Sequence, residues 1–281
     1  MTSRRPGCRV VDRQPDACRD RQLYPAVVSS WGRYARRMSR RTSYGIDAPG
    51  VPFGLASGGV ILLLVAIVNA VLDVGRWAVL GPLLGSVTLL GSAAVYLHTT
   101  LRGKFRIWSG LLNGLELQGD ERVLELGCGR GAVLVAAAKR VPLGRAVGVD
   151  LWRSVDQSGN TAEATKRNTD LEGVAGRVEL HTGDMTALEF PDGTFDVVLS
   201  SLAIHNIGSA EGRQHAVEEA ARVLRPGGRL VIVDIMHAAD YAQRLTSLGL
   251  SDVAQRPLGW RYWYGGPWMA ARLITARRPV G

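Results

Sequence analysis

Two long runs without charged side chains dominate the hydrophobic pattern of the first hundred residues. Gly54–Leu72 and Trp77–Leu97 contain no charge, and Asp73 and Arg76 lie in the short joint between them. About 20 apolar residues are enough to cross the hydrocarbon core of a bilayer as a helix. The pattern predicts a transmembrane helical hairpin within residues 51–101. Two helices buried in a soluble domain are the alternative.

The residues flanking the two runs predict the orientation of this hairpin. Both outer flanks are basic, and positive flanks stay on the cytoplasmic side. We therefore expect the inner (cytoplasmic) membrane, with both termini and the following domain in the cytoplasm. Small residues in the second run, Gly81 and Gly85 with Gly91 further on, are expected to allow close helix contact. The flanking residues are Arg33, Arg36, Arg37, Arg40 and Arg41 before the runs, and Arg102, Lys104 and Arg106 after them.

From about residue 105 the pattern changes to short apolar runs that alternate with helical stretches. Apolar, β-branched runs separated by helices indicate a mostly parallel sheet covered on both faces. Ligands bind such sheets beyond the carboxyl ends of the strands. The predicted strands are Arg122–Leu126, Ala146–Asp150, Val178–Thr182, Phe195–Ser201 and Leu230–Asp234. The predicted helices are Ala132–Arg140, Ala162–Leu171 and Glu211–Leu224.

Residues 1–50 form an arginine-rich tail that we expect to be disordered, because it has little apolar surface to bury. The tail holds eleven arginines and four aspartates, so it carries +7 of the net charge of +9. Because the remainder is nearly neutral, no nucleic-acid partner is expected. Met38 is a plausible alternative start. The three cysteines, Cys8, Cys18 and Cys128, lack metal-ligand spacing, so no metal site is predicted.

Three acidic residues follow or end successive predicted strands. The first strand runs into a glycine-rich turn, Gly127–Gly131, two residues after Glu125. Glycines let the backbone turn tightly and approach a ligand closely. Asp150 ends the second strand and Asp184 follows the third, where carboxylates can accept from ribose hydroxyls and an adenine amino group. A dinucleotide oxidoreductase shares the loop and Asp150, but does not account for Asp184.

With these motifs the chain resembles the class I S-adenosylmethionine-dependent methyltransferases, in particular the group of the ubiquinone/menaquinone C-methyltransferases. The resemblance covers about 170 residues within 102–281. It implies a Rossmann-like, doubly wound α/β sheet of seven strands with the last antiparallel, ending in a hairpin of Leu250–Pro257 and Met269–Ala276. The matching motifs are Glu125–Gly131, Gly183–Met185, Phe190–Val198 and Leu224–Leu230.

The resemblance also implies a binding site for S-adenosyl-L-methionine as co-substrate. The glycine-rich turn with Glu125 holds the methionine end, Asp150 binds ribose, and Leu151 or Trp152 lies against adenine. Asp184 and Met185 complete the adenine pocket, and Ser200 lies beside the sulfonium. The full set of expected binding residues is Glu125, Gly127, Cys128, Gly129, Gly131, Asp150, Leu151, Trp152, Gly183, Asp184, Met185 and Ser200.

The sequence says less about the residues that would contact the molecule receiving the methyl group, the acceptor. His205, just beyond the fourth strand, is a candidate base, with a purely structural histidine as the alternative.

Asp156–Asn160 resembles a feature of a membrane-tethered bacterial subgroup and is an active-site loop or a surface excursion. A short helix with Trp108, Leu111, Leu112 and Leu115 is a pocket roof or ordinary core. An anchored site favours a small, apolar acceptor and lipid contact through residues 54–97. A non-catalytic module that binds S-adenosylmethionine is the alternative function.

Overall fold

A computed structural model describes residues 43–280. The predictions made for residues 1–42, among them those on Met38, on two of the cysteines and on the arginines before the first apolar run, lie outside the described residues. The order of the helices and strands from residue 43 onwards agrees with the order that the hydrophobic pattern predicts.

Two antiparallel helices occupy the apolar region. Helix α1 spans Gly50–Val71 and helix α2 spans Arg76–His98. A π-helical turn, Thr99–Gly103, leads directly into helix α3, Lys104–Gly114, so no flexible linker separates α2 from the domain that follows. Two helical stretches, residues 50–71 and 76–114, are long and apolar enough to cross a membrane, judged by length and composition.

Glycines bring α1 and α2 into contact, although only one of them is a predicted residue. A Cβ added to Gly85 would lie 2.8 Å from Leu62, and one added to Gly59 would lie 2.7 Å from Leu90. The prediction is therefore right for Gly85. It is wrong for Gly81 and Gly91, where an added Cβ meets nothing within 4 Å because both residues face away from α1.

The domain after α3 is built on a seven-stranded sheet in the order β3-β2-β1-β4-β5-β7-β6. Strand β7 runs antiparallel to β5 and β6, which confirms the predicted fold class. The strands are β1 Arg122–Leu126, β2 Arg145–Asp150, β3 Val178–Thr182, β4 Phe195–Ser201, β5 Leu224–Asp234, β6 Ser251–Pro257 and β7 Arg272–Arg277. The helices are α4 Ala132–Ala138, α5 Ala162–Leu171, α6 Ala210–Arg222 and α7 Ala238–Ser247.

Strand β5 begins six residues earlier than predicted. Its first residue, Leu224, pairs with Phe195, and the ladder then shifts so that Arg229 pairs with Val197. The Pro-Gly-Gly sequence of the Leu224–Leu230 motif therefore forms a bulge inside the strand. Its extra residues lie opposite a shorter segment of β4.

Helices cover both faces of the sheet. Helices α6 and α7 cover one face through residues such as Val217 and Tyr241. Helices α3 and α4 cover the other face, where Trp108 is 2% exposed and Leu112 is 1% exposed. The Trp108 helix is thus core, and the prediction of a pocket roof is wrong, because its apolar face is fully used against the sheet. Both faces are closed, which leaves the strand ends as the open place for a ligand.

Candidate functional site

The carboxyl ends of β1, β2 and β4 surround one cavity. These strands pair in parallel register, with Glu125 level with Gly148 on one side and with Leu199 on the other. The chain order reverses direction between β1 and β4, the switch point at which open α/β sheets bind ligands. The cavity has a volume of about 900 Å³, including the part open to solvent.

The glycine-rich turn after β1 forms one wall of this cavity. The amide of Gly127 donates to the carbonyl of Val149 at 2.8 Å, which fixes the turn against the end of β2. Gly127 has φ of +68°, and an added Cβ would lie 2.2 Å from the Cβ of Ala203. No other residue type fits both the backbone conformation and the contact, so glycine is required here.

Glu125 presents a buried carboxylate beneath the turn. The residue is 2% exposed, and its Oε2 atom has no hydrogen-bond partner among the residues that the structure describes. Burial raises the pKa of Glu125 well above its ordinary value, and the nearby charge of Asp150 adds to the rise. A buried acceptor without a donor is costly unless a ligand supplies one. An ammonium group would satisfy it.

Asp150 joins the end of β2 to the glycine-rich turn. Its Oδ2 accepts from the amide of Gly129 at 2.7 Å, and its Oδ1 accepts from the amide of Trp152 at 2.6 Å and from Asn160 Nδ2 at 3.2 Å. A carboxylate has about four acceptor positions, so room remains for a ligand hydroxyl. Asp184 also lines the cavity, and its Oδ1 accepts from the amide of Thr186 at 2.8 Å.

The structure brings eight of the twelve predicted binding residues to the cavity wall: Glu125, Gly127, Cys128, Gly129, Asp150, Leu151, Asp184 and Met185. The other four do not line it. Gly131 shapes the turn with φ of +81°, and Gly183 adjoins Val149. Trp152 donates from Nε1 to Thr182 at 2.8 Å. Ser200 is 0% exposed, and the cavity is lined instead by Ser201.

His205 does not line the cavity, although its neighbour Asn206 does. The Nδ1 atom of His205 lies 2.5 Å from Oδ1 of Asp234, which is fully buried at the end of β5. The backbone amide of His205 also donates to Asp234 Oδ2 at 3.1 Å. The backbone hydrogen bond holds His205 beside this carboxylate, whereas Nδ1 itself makes no hydrogen bond to a described residue. The sequence contained no signal for Asp234, because the pairing depends on β4 and β5 being neighbours.

A buried ion pair between a residue before α1 and a residue after α2 forms another part of the cavity wall. Lys104 Nζ donates to both carboxylate oxygens of Asp47, at 2.9 and 3.1 Å. Thr100 and Tyr264 donate to the same carboxylate at 2.8 and 2.9 Å. Burial raises the pKa of Asp47, but Lys104 and these hydrogen bonds outweigh it, and the net shift is downward. The sequence marked Lys104 only as a basic flank and placed Asp47 in the tail expected to be disordered. That expectation is wrong for residues 43–50, which are held to the domain by hydrogen bonds such as that from the amide of Asp47 to Thr100 Oγ1 at 3.0 Å.

The Asp156–Asn160 insertion connects this ion pair to the glycine-rich turn. Gln157 donates to Asp47 Oδ1 at 3.0 Å and accepts from the amide of Arg130 at 2.8 Å. Backbone hydrogen bonds from Ala48 to Asp156 and from Ser158 to Ile46 align the insertion with the segment before α1. Of the two alternatives, the active-site loop is correct, because three residues of the insertion line the cavity: Asp156, Gln157 and Asn160.

The charges around the cavity suit a cationic ligand with an amine. Acidic side chains outnumber basic ones among the described residues of the wall. The pKa of Asp156 is raised mainly by burial, with a further rise from Asp150. The ionisable residues of the wall, apart from the Cys128 thiol, are Asp47, Glu125, Asp150, Asp156 and Asp184 on the acidic side and Lys104 and Arg153 on the basic side.

Part of the sheet domain is similar to known methyltransferases. Residues 124–232 match the methyltransferase domain family. A ubiquinone/menaquinone biosynthesis C-methyltransferase from Roseobacter denitrificans is 32% identical over 133 residues, which are 47% of this chain and 50% of the relative. The 27-O-demethylrifamycin SV methyltransferase of Amycolatopsis mediterranei is 33% identical over 133 residues, 47% of this chain and 44% of the relative. The chain thus spans about half the length of these relatives.

Among solved structures, the crystal structure of the cyclase SpnF has the same fold. The TM-score is 0.53 with 19% sequence identity, and the match covers 65% of this chain and 83% of the cyclase. At this identity the likeness concerns the fold alone. The predicted seven-stranded architecture is therefore confirmed by the strand order and by an independent structure.

Proposed function

We propose that this chain, which contains a class I S-adenosylmethionine-dependent methyltransferase domain, transfers a methyl group from S-adenosyl-L-methionine to a small, apolar acceptor while anchored in a membrane. The observation that carries the enzymatic part is the convergence of Glu125, Asp150 and Asp184 on one cavity at the switch point of the sheet. Each of the three comes from a different strand end, in the order that the family's motifs have along the chain.

The cavity wall supports specific roles for the predicted binding residues. The unpartnered Oε2 of Glu125 fits the ammonium of the methionine end, and the acceptor position left on Asp150 fits a ribose hydroxyl. Asp184 and Met185 lie where the adenine is expected, with Leu151 as the apolar contact. The predominantly acidic wall also favours a ligand whose net charge is positive over the neutral product that remains after transfer.

S-adenosylmethionine supplies an already activated methyl group, so the protein's main task is to align the acceptor and to exclude water. His205 is our candidate for the base that receives a proton from the acceptor when one must be lost. Its Nδ1 lies 2.5 Å from Oδ1 of Asp234, so this neighbouring carboxylate would stabilise the protonated imidazole. The His205–Asp234 pair is close to the cavity, because Ala203 and Asn206 on either side of the histidine line it.

The membrane anchor is proposed from helices α1 and α2. Only 17% of the residues in the most apolar window of each stretch are buried, which disfavours the alternative of core helices in a soluble domain. Side chains such as Leu64, Leu84 and Val87 are more than half exposed along the pair. Apolar surface of this extent needs lipid or a partner to cover it. We place the domain on the cytoplasmic side of the inner membrane, because basic residues flank the helix pair.

An acceptor screen tests the proposal. The full chain in detergent is incubated with S-adenosylmethionine carrying a labelled methyl group and with an apolar extract of bacterial membranes. We expect label to enter an extractable apolar product with the unaltered chain and not with Asp150→Ala. Transfer only to water-soluble acceptors would contradict the apolar acceptor. Binding of S-adenosylmethionine without transfer to any fraction would favour the non-catalytic module instead.

A further inference from the structure

The loop between β6 and β7, Leu258–Ala271, packs around the base of the helix pair. Trp260 stacks on His98, the last residue of α2, with 5.3 Å between ring centroids. The carbonyl of Trp263 accepts from Thr99 Oγ1 at 2.6 Å. Gly103 lies so close to the loop that an added Cβ would overlap the carbonyl of Arg261. The loop is therefore fixed against the point where α2 enters the domain.

This loop exposes two large aromatic side chains at that point. Trp260 is 50% exposed and Trp268 is 68% exposed. The ring of Trp268 is held against Gly266, where an added Cβ would lie 2.5 Å from it. Large apolar side chains exposed together on one loop are typical of a surface that contacts a membrane or a partner.

A third exposed tryptophan lies at the opposite end of α2. Trp77, next to the tip of the helix pair, is 73% exposed, and the guanidinium of Arg76 lies 5.1 Å from the centre of its ring. At the base, Arg261 makes the same contact with Trp260 at 4.9 Å. Each end of the helix thus carries one tryptophan with an arginine over its ring.

The spacing of these two pairs matches one bilayer. The 23 residues of α2 span about 34 Å at about 1.5 Å per residue. The hydrocarbon core of a bilayer is about 30 Å thick, and tryptophan is enriched at both of its interfaces. When Arg76 and Trp77 lie at one interface, Trp260 and Arg261 therefore lie at the other.

We propose that the loop Leu258–Ala271 lies in the headgroup layer of the bilayer that α1 and α2 cross, with Trp260 and Trp268 at the level of the interface. This rests on the proposed membrane anchor and extends it to the C-terminal part of the domain. Arg102 and Arg261 are exposed and form no ion pair with a described residue, so both are available to the phosphates of anionic lipids.

The docked loop brings the cavity to the membrane surface. Lys104, which lines the cavity, is six residues beyond His98 on a continuous helical segment, a rise of about 9 Å. An apolar acceptor then reaches the cavity from the headgroup layer with little exposure to bulk water. The proposal thereby gives the apolar acceptor a route.

Site-directed spin labelling of the full chain tests this contact. Single cysteines are introduced at exposed positions in a Cys8→Ser, Cys18→Ser background, in which the remaining Cys128 is 4% exposed. Trp268→Cys probes the loop, and Leu64→Cys probes the middle of α1. Leu143→Cys is the control, 85% exposed in the turn that leads into the amino end of β2. Each labelled chain is placed in vesicles that contain about 30% anionic lipid, because anionic headgroups attract basic side chains. Collisions with oxygen and with a water-soluble nickel chelate are then measured.

The proposal expects the label at position 268 to collide several-fold more with oxygen, and several-fold less with the chelate, than the label at 143. Equal chelate access at 268 and 143, with position 64 in lipid, would overturn the loop contact and leave the anchor intact. Chelate access at 64 as well would overturn the anchor itself. Trp260→Cys gives a second measurement on the same loop, and its label is expected to differ from the label at 143 in the same direction as the label at 268.

Discussion

Lys104 donates to both carboxylate oxygens of Asp47, and the two residues stand immediately outside the two ends of the apolar helix pair. The ion pair thus joins the chain segments before α1 and after α2, and it also forms part of the cavity wall. The side chains are 6% and 16% exposed. A change in the position of the helices would therefore alter the wall of the binding site directly.

Asp47→Asn is expected to destabilise the protein, because it leaves the buried ammonium of Lys104 without its counter-charge. Removing one partner of a buried pair costs about 3 kcal/mol, which corresponds to a thermal midpoint lower by roughly 6–10 °C. The midpoint is measured on the full chain in detergent. Because the pKa of Asp47 is lowered, this stabilisation is present above the ordinary aspartate pKa and is lost as the pH falls.

The control for this prediction is the double variant with Lys104→Met, which removes both charges and is expected to recover part of the loss. Asp170→Ala, an exposed aspartate on α5, should leave the midpoint unchanged. A midpoint for Asp47→Asn equal to that of the unaltered chain would contradict the importance of the pair.

Much of the fold follows from local sequence pattern, whereas the contacts of the site do not. The predicted bounds of β1, β3 and β4 agree with those found, and β1 and β3 are each followed by a glycine, Gly127 and Gly183. Ser200 was predicted at the site and Ser201 lines it, because neighbouring residues of a strand point to opposite faces and a shift of one residue exchanges them. Asp47 was missed because its partners lie up to 217 residues away in the chain.

Binding of S-adenosylmethionine is expected to release a proton from Glu125. Burial raises the pKa of this carboxyl well above its ordinary value, whereas a bound ammonium stabilises the ionised form. The affinity for S-adenosylmethionine should therefore increase as the pH rises through the pKa that Glu125 has in the unbound protein. Titration calorimetry in two buffers with different ionisation enthalpies gives the proton count. An unchanged count in Glu125→Gln would show that the proton comes from another group.

Gly103→Ala is expected to detach the β6–β7 loop from the base of the helix pair. The added Cβ would overlap the backbone carbonyl of Arg261, which no side-chain rotation relieves. Limited proteolysis should then cut the loop Leu258–Ala271 faster. Gly110→Ala on α3 is the matched control: its added Cβ meets nothing within 4 Å, so alanine should stabilise that helix by up to about 1 kcal/mol. Equal proteolysis of both variants would argue against the contact.

His205→Ala is expected to slow methyl transfer by roughly 100-fold at neutral pH, if the acceptor must lose a proton, since general bases contribute on this scale. Asp234→Asn keeps the shape but removes the negative charge beside the imidazole, and it should lower kcat and alter the pH dependence of turnover while leaving cofactor affinity unchanged. Full turnover of His205→Ala from pH 6 to pH 9 on an identified acceptor would assign the histidine a structural role only.

The most direct test of the central claim is a calorimetric titration of the full chain in detergent with S-adenosylmethionine and S-adenosylhomocysteine, with NADH as the negative control. The full chain is needed because Asp47, ahead of the helices, belongs to the cavity wall. We expect micromolar binding of both sulfur ligands, no binding of NADH, and affinity at least about 30-fold weaker in Asp150→Ala, the loss of about 2 kcal/mol of charged hydrogen bonding. Absence of binding by the folded chain, or equal affinity in Asp150→Ala, would contradict a methyltransferase site at these strand ends.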